Sequence, residues 1–132
     1  MTRTLSYISA AFLAFSLLVF SSVASLADGP GRTGSFVGAS NHIAKGEVNL
    51  VETATGWEIH LSESFWFDGA PDPRVGFGKN GRFADRTDFK PLGKNAGAQV
   101  YQVPADIDPA EFSEIFIWCR RFSVPLGYAT LS

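Results

Sequence analysis

Cys119 is the only cysteine in the chain, and its chemistry makes it the first candidate for a functional site. A cysteine thiolate can exchange with disulfides or ligate a haem iron. Cys119 lies in the apolar segment 115–122, directly before Arg120 and Arg121. The two arginines favour the thiolate, whereas apolar surroundings favour an inert, buried thiol. The sequence therefore leaves two interpretations open, a redox or ligating thiol and a small hydrophobic side chain in the core.

The two histidines are the other candidate ligands. His42 follows Ala-Ser-Asn in segment 39–42, which predicts a loop, and it could ligate a haem iron. The alternative is an imidazole that only stabilises the turn, which we favour because most loop residues carry no site. His60 shares a predicted strand face with Glu58, so we expect it to be solvated. Two histidines and one cysteine could form a blue-copper centre, but no histidine follows Cys119, so no metal site is predicted.

The residue inventory limits how a haem could be held. The chain contains no Cys-x-x-Cys-His segment, which excludes covalent attachment of the c type. The only methionine is Met1, so a haem with histidine and methionine ligands is excluded as well. Ligation by Cys119 or by His42 stays open. The cofactor is therefore unknown: haem could be held, but the sequence requires none.

Two further motifs have weaker chemical interpretations. Segment 76–81 matches the dinucleotide fingerprint G-x-G-x-x-G by letter. We predict a hairpin there, because Asn80-Gly81 is typical of a turn and no convincing amphipathic helix follows. The acids of segment 68–72 could bind Ca²⁺, but the prolines and the sparse ligands make this pattern weak. No acid/base pair can be named, so an electron-transfer or binding domain is favoured over an enzyme.

The first 27 residues have the pattern of a secretory signal peptide. Arg3 supplies a positive charge, segment 10–20 is apolar except for Ser16, and segment 25–27 offers small residues for cleavage. We expect a signal peptide at 1–27, a mature domain at 28–132, and a periplasmic or extracellular location. A retained membrane anchor is disfavoured because the apolar run is short for a bilayer. A lipoprotein is excluded because the only cysteine lies far from the cleavage site.

Charge and hydropathy exclude further classes of protein. The formal net charge is −2 at pH 7, and the chain has no basic run, so no nucleic-acid partner is expected. No second long apolar segment follows the signal peptide, so the mature domain is not expected to span a membrane.

The mature sequence predicts β-strands nearly throughout. Segment 57–61 alternates apolar and polar residues, and segment 47–52 precedes it across the turn residues 53–56, which predicts a hairpin. Further strands are predicted at 75–77, 99–103, 115–119 and 128–131. Short strands at this spacing predict an all-β, antiparallel β-sandwich or small barrel-like sandwich in a single domain.

One short helix is predicted at 108–111. Asp108 is a suitable N-cap, Pro109 suits the first helical position, and Glu111 is placed for a capping box.

Strand periodicity places Cys119 on one face together with Ile115 and Ile117. Phe116 and Trp118 point to the opposite face. Both faces are apolar, so we predict a central strand that is covered on both sides as far as the arginines.

Three residues near the thiol are further candidates. Arg121 could share the face of Cys119 if the strand continues, whereas Arg120 points away from it. Trp118 and Tyr101 could line an apolar ligand pocket, although core packing is the favoured use of such aromatics.

The mature sequence resembles the DM-thirteen domain, also called the electron-transfer DM domain, an all-β extracellular module. The resemblance covers nearly the whole mature chain. The specific motifs are Gly97-Ala98-Gln99-Val100-Tyr101-Gln102-Val103-Pro104 and Ile117-Trp118-Cys119-Arg120-Arg121-Phe122-Ser123-Val124. Less specific matches are Gly34-Ser35-Phe36, His42, Gly46 and Gly69-Ala70-Pro71-Asp72-Pro73.

The resemblance implies redox chemistry at Cys119, as a bare thiol or as a ligand to a group such as haem. The family often accompanies DOMON and membrane cytochrome b modules, which this chain lacks, so a redox partner would be a separate protein. The alternative function is a non-catalytic extracytoplasmic binding or adhesion module in which Cys119 only packs the core.

Overall fold

The computed structural model describes residues 31–132. The predicted signal peptide, 1–27, and the membrane anchor considered as its alternative lie outside the described residues. Residues 31–132 form eleven strands and two single-turn 3-10 helices, Asp85–Thr87 and Pro109–Glu111. The strands are β1 (Arg32–Gly38), β2 (Ala44–Lys45), β3 (Glu47–Thr53), β4 (Gly56–Leu61), β5 (Trp66–Phe67), β6 (Pro73–Lys79), β7 (Arg82–Phe83), β8 (Lys90–Pro91), β9 (Gln99–Gln102), β10 (Glu114–Cys119) and β11 (Val124–Thr130).

The strands form one curled antiparallel sheet with the shape of a half-barrel. Its strand order is β7-β6-β10-β11-β1-β3-β4-β9, with β8 also paired to β6, and β2 pairs with β5 in a separate two-stranded sheet. The first half of β1 pairs with β3 and its second half pairs with β11. Strand β1 therefore joins a β6–β10–β11 part of the sheet to a β3–β4–β9 part.

The core fills the concave side of the curl. Ile115 and Ile117 of β10 and Leu50 and Ile59 of the β3–β4 hairpin are fully buried, and all four belong to one apolar cluster. A sheet buries alternate side chains on one face, so a sheet that curls can enclose a core between its two ends. The predicted all-β, single-domain fold is confirmed.

Strand β10 is an interior strand of the sheet, third in the strand order. It pairs with β6 on one side and with β11 on the other. Ile117 is fully buried on one face and Phe116 is 1% exposed on the other, as predicted for a strand covered on both faces, but Trp118 near its end is only half-buried. The strand ends at Cys119.

Both predicted hairpins form, and their turns lie at the predicted residues. Strands β3 and β4 pair from Thr53 and Gly56 onward, as the 53–56 turn predicts. Strands β6 and β7 are joined by Asn80 and Gly81, whose φ angles of 55° and 74° suit a type I′ turn. The G-x-G-x-x-G segment is therefore a hairpin, as predicted.

Two details differ from the sequence-based expectation. Strand β1 was not predicted, because only Phe36 of its seven residues is buried and the segment lacks a clear apolar alternation. The 108–111 helix is a single 3-10 turn in which the Asp108 carboxylate accepts a bond from the Ala110 N–H at 3.0 Å. The capping box does not form, because the Glu111 carboxylate pairs with Arg86.

Candidate functional site

Cys119 is the last residue of β10 and faces the core. It lies opposite Pro73 of β6 and Val124 of β11 in the two ladders. It is 1% exposed and belongs to the main apolar cluster. In this position the thiol has the apolar contacts of a core side chain, while its strand ends immediately beside it.

An exposed turn follows the thiol directly. Arg120 to Ser123 connect β10 to β11, and all four residues are exposed. The backbone N–H of Arg120 donates to the carbonyl oxygen of Asp72 at 3.1 Å. Ser123 has a φ of 52°, a left-handed conformation that costs free energy in a residue other than glycine. Cys119 is thus buried beneath a turn that is itself solvated.

The two arginines of this turn have different contacts. The Nε of Arg120 donates to Oδ2 of Asp88 at 2.7 Å, and the Nε of Arg74 donates to Oδ1 of the same carboxylate at 2.8 Å. Burial raises the pKa of Asp88, but the hydrogen bonds from Arg120 and Arg74 outweigh it and hold that pKa below its usual range. The Arg121 guanidinium lies 5.9 Å from the centroid of the Phe122 ring. The strand ends before Arg121, so the condition for its sharing the face of Cys119 is not met.

Trp118 lies on the opposite face of β10 from the thiol. Its ring stacks on Phe83 of β7, with centroids 4.4 Å apart and planes 11° apart. Phe116, two residues earlier, stacks on Tyr128 of β11 at 5.5 Å and meets Phe83 edge-on at 5.8 Å. We call Phe83, Phe116, Trp118 and Tyr128 the outer aromatic patch.

Tyr101 lies on β9, which β11, β1, β3 and β4 separate from β10 in the strand order. It is 7% exposed, and its hydroxyl accepts the N–H of Gly93 at 2.8 Å and donates to Gln99. Burial raises the pKa of Tyr101. Its contacts are those of a buried tyrosine that packs the core and fastens the loop before β9.

His42 lies in the loop after β1, where Asn41 has a φ of 62°. Its Nδ1 lies 2.9 Å from Oδ1 of Asp68, whose Oδ2 accepts the N–H of Ile43 at 3.0 Å. Burial raises the pKa of Asp68, but the hydrogen bond with His42 and the other contacts bring it below its usual range. The imidazole stabilises the turn by tying two loops together, which is the favoured sequence interpretation.

His60 pairs with its strand neighbour. Its Nε2 lies 2.7 Å from Oε2 of Glu58, and both side chains are partly exposed on the convex face of the sheet. The side chain is therefore partly solvated, and its ring nitrogen is engaged by a carboxylate.

The residues around Cys119 do not fit a haem. The thiol is buried among core side chains, and haem ligation would require an apolar cavity with one open side at the sulfur. Two clefts on the described surface have volumes of about 340 and 210 Å³. The first is lined by residues 33–35, 47, 49, 130 and 132, and the second by residues 55–57, 103–105 and 107. Neither cleft includes Cys119 or His42. Within residues 31–132, no three His, Cys, Asp or Glu side chains are grouped closely enough to hold a metal ion.

The sequence analysis did not predict the contacts on the outer face of β10. Asp88 was considered only as a loop acid, and Phe83 and Tyr128 were not singled out. Two-residue periodicity could have placed Tyr128 on an outer face, but the pairing of β6, β7 and β11 with β10 depends on topology. No helix in residues 31–132 is long and apolar enough to cross a membrane.

Comparison with protein-family models matches most of the chain to one family. The model described as electron transfer DM13 matches residues 35–131, from β1 to the residue after β11. The chain belongs to the DM13 family. The match includes the whole curled sheet with Cys119 and the outer aromatic patch, so the resemblance to the DM-thirteen domain is confirmed. No curated protein and no solved structure shows significant similarity to this DM13 domain.

Proposed function

We propose that this DM13 domain is an exported electron-transfer module whose redox group is the bare thiol of Cys119, acting with a separate partner protein. The family is described as one of electron transfer, and Cys119 is the only thiol in the chain. The signal-like segment 1–27 supports export to the periplasm or the cell exterior. The observation that carries the proposal is the position of Cys119, at the end of a strand and directly beneath an exposed turn.

The turn supplies a route by which a buried thiol can react. Opening of residues 120–123 would expose the sulfur, because Cys119 ends β10 and stands directly before this turn. Local openings of this kind have free energies well below that of global unfolding. The arrangement therefore supports a thiol that is protected at rest and reacts on opening.

The redox step is thiol–disulfide exchange with a partner protein. The thiol loses its proton to solvent, and the thiolate attacks one sulfur of the partner's disulfide. A new bond forms between Cys119 and that sulfur, the partner's S–S bond breaks, and the other partner sulfur leaves as a thiolate. A thiol of a third molecule then attacks the partner's sulfur in the mixed disulfide and forms a disulfide with it, and Cys119 leaves as a thiolate. Two electrons have then passed from that thiol to the partner's disulfide, and Cys119 is restored.

A binding module with a purely structural cysteine is the second candidate function. The observation that favours it is the 1% exposure of Cys119 within the main apolar cluster. In that case the thiol reacts only when the whole domain unfolds. The two candidates therefore differ in the size of the opening that exposes the sulfur.

Thiol labelling under native conditions distinguishes them. We expect the full chain to react with a disulfide reagent at a rate that hardly depends on low denaturant, because a local opening exposes little surface. Oxidised glutathione should add one glutathione to the folded protein, as measured by intact mass. A labelling rate that falls to the global unfolding rate, with no glutathione adduct on the folded protein, would leave Cys119 as core packing.

A matched pair of turn variants sharpens the test. Ser123→Gly relieves a left-handed residue in the turn beside the thiol, and should slow labelling by about twofold or more because the closed turn is stabilised. Asn80→Gly makes the same kind of change in the β6–β7 turn, where φ is 55°. It should leave the labelling rate unchanged. Equal effects of the two variants would show that labelling follows global unfolding.

A further inference from the structure

The outer aromatic patch lies flat against the backbone of β6. A Cβ atom at Gly78 would come within 2.3 Å of Cε2 of Phe116, and one at Gly76 would come within 2.7 Å of Cε2 of Phe83. The two glycines thus leave room for rings to lie directly on the sheet. The result is a smooth apolar surface on the convex side, opposite the core.

The patch keeps apolar surface in contact with solvent. Phe116 is buried beneath its neighbours, but Phe83, Trp118 and Tyr128 are only half-buried. Val37 of β1 faces the same side as Tyr128, its partner in the ladder, and is 50% exposed. An apolar surface that extends over several strands with polar surroundings is typical of an interaction site.

Arginines border this surface at Trp118. Arg74 lies opposite Trp118 in the β6–β10 ladder, and Arg120 follows two residues later. Asp88 bonds to the Nε of each arginine, which fixes the two guanidinium groups beside the patch. The Arg120 side chain is 52% exposed, so its Nη groups stay accessible to a carboxylate from outside.

The charge of the domain is divided unevenly between the two parts of the sheet. Segments 73–91 and 114–130, which hold β6–β8, β10 and β11, contain seven Lys or Arg and three Asp or Glu, a net charge of +4. The rest of 31–132 contains three Lys or Arg and nine Asp or Glu, a net charge of −6. Basic residues therefore outnumber acidic ones in the part of the sheet that holds the patch, and acidic residues outnumber basic ones in the rest of residues 31–132.

We propose that the outer aromatic patch with its arginine border is the docking surface for an acidic redox partner protein. The uneven charge steers a negatively charged partner toward this part of the sheet, and the exposed aromatic rings supply apolar contact once it has arrived. The inference rests on the proposed electron-transfer function for the identity of its partner, while the docking itself needs no thiol.

The test is a titration of the nitrogen-15-labelled full chain with oxidised flavodoxin, an acidic electron-transfer protein, followed by NMR. We expect shifts of the Trp118 indole and amide signals and of the amides of Phe83, Arg120 and Tyr128. Binding should weaken steeply as salt is raised from low ionic strength to about 0.2 M, because the attraction is screened. Basic cytochrome c serves as the control of opposite charge and should leave these signals unchanged.

Matched variants locate the binding energy. Arg120→Gln should weaken flavodoxin binding by about two- to fivefold, the range for an exposed ion pair. Lys94→Gln removes the same charge from the loop before β9, on the other part of the molecule, and should not weaken it. Trp118→Ala should weaken binding roughly tenfold, as expected for an aromatic anchor. Trp118→Ala removes a ring that packs on the sheet and so can change the fold. The comparison of Arg120→Gln with Lys94→Gln therefore decides whether the patch is the binding site.

Three results would overturn the proposal: shifts confined to other surfaces, binding that is insensitive to salt, and equal weakening by Lys94→Gln. Self-association of the chain through the same signals, seen by dilution before any probe is added, would also overturn it, since the occupant would then be a second copy. Cys119→Ser separates this proposal from the redox function. If Cys119→Ser still binds the probe and the thiol of the parent chain does not react, the proposed thiol chemistry is contradicted. The proposed docking surface is then still supported.

Discussion

The two faces of β10 are both apolar in sequence, yet they have different surroundings. Ile115, Ile117 and Cys119 face a core built from both ends of a curled sheet, and each is almost completely buried. Phe116 and Trp118 face outward and pack against aromatic rings from β7 and β11. The comparison shows that one strand can supply both the core and an interaction surface when its outer neighbours include glycines that leave space for rings.

Removal of a core-facing side chain of β10 should cause the largest loss of stability. Ile117→Ala deletes apolar atoms from a fully buried position, so we expect the free energy of unfolding to fall by about 2–5 kcal/mol. Val37→Ala, on the exposed outer surface, should change it by less than about 0.5 kcal/mol. Urea unfolding followed by tryptophan fluorescence measures both. Equal losses would show that the outer surface is as closely packed as the core.

Removal of the buried Thr87 hydroxyl should cause the next largest loss of stability. Thr87 is fully buried, and its Oγ1 accepts the N–H of Phe77 at 2.8 Å and lies 2.7 Å from the carbonyl oxygen of Ala84. Thr87→Val keeps the shape but leaves the N–H of Phe77 without this partner, so we expect a loss of about 1–3 kcal/mol.

Thr87→Ser is the matched control for that experiment. It keeps the hydroxyl and deletes one methyl group, so thermal unfolding should separate the polar contribution from packing. A larger loss for Thr87→Ser than for Thr87→Val would mean that the methyl contact matters more than the hydrogen bond.

Removal of the Asp88 carboxylate, which bridges Arg74 and Arg120 beside the patch, should cause the smallest loss of stability. This loss should depend on pH. The pKa of Asp88 is lowered in the folded state, so its contribution to stability is fully present above the ordinary aspartate value of 3.8 and is lost as pH falls through the lowered folded pKa. Asp88→Asn should cost about 1 kcal/mol near neutral pH, because one partner of the bridge is half exposed. Stability measured from neutral to acidic pH should fall less steeply in Asp88→Asn than in the parent chain.

Asp68→Asn controls for acid-dependent stability outside the patch. Its pKa is lowered by contact with His42 rather than with arginines. This variant should leave the flavodoxin-induced shifts of Trp118 unchanged. An acid profile of Asp88→Asn identical to that of the parent chain would show that the bridge contributes nothing to stability.

The parts of the fold that could be predicted are those encoded by local sequence patterns. The alternation in β4, the Asn80-Gly81 turn and the N-cap at Asp108 are encoded by residues close together in sequence, and all three are present in the structure. Strand β1 escaped prediction because its pairing with both β3 and β11 specifies it, rather than an apolar pattern of its own. Glu111 similarly pairs with the distant Arg86 instead of completing its own cap.

The sequence by itself determined the lone thiol, the all-β character, the two faces of β10 and the family resemblance, because each depends on residue type and on a period of two. The tertiary structure decided how deeply Cys119 is buried, which rings cover Trp118 and which carboxylate joins Arg74 to Arg120. Those contacts join residues from strands that are distant in sequence, and the order in which strands pair fixes them. The uneven charge has the same origin: segments 73–91 and 114–130 are separate in the chain, and strand pairing brings their basic residues into one part of the sheet.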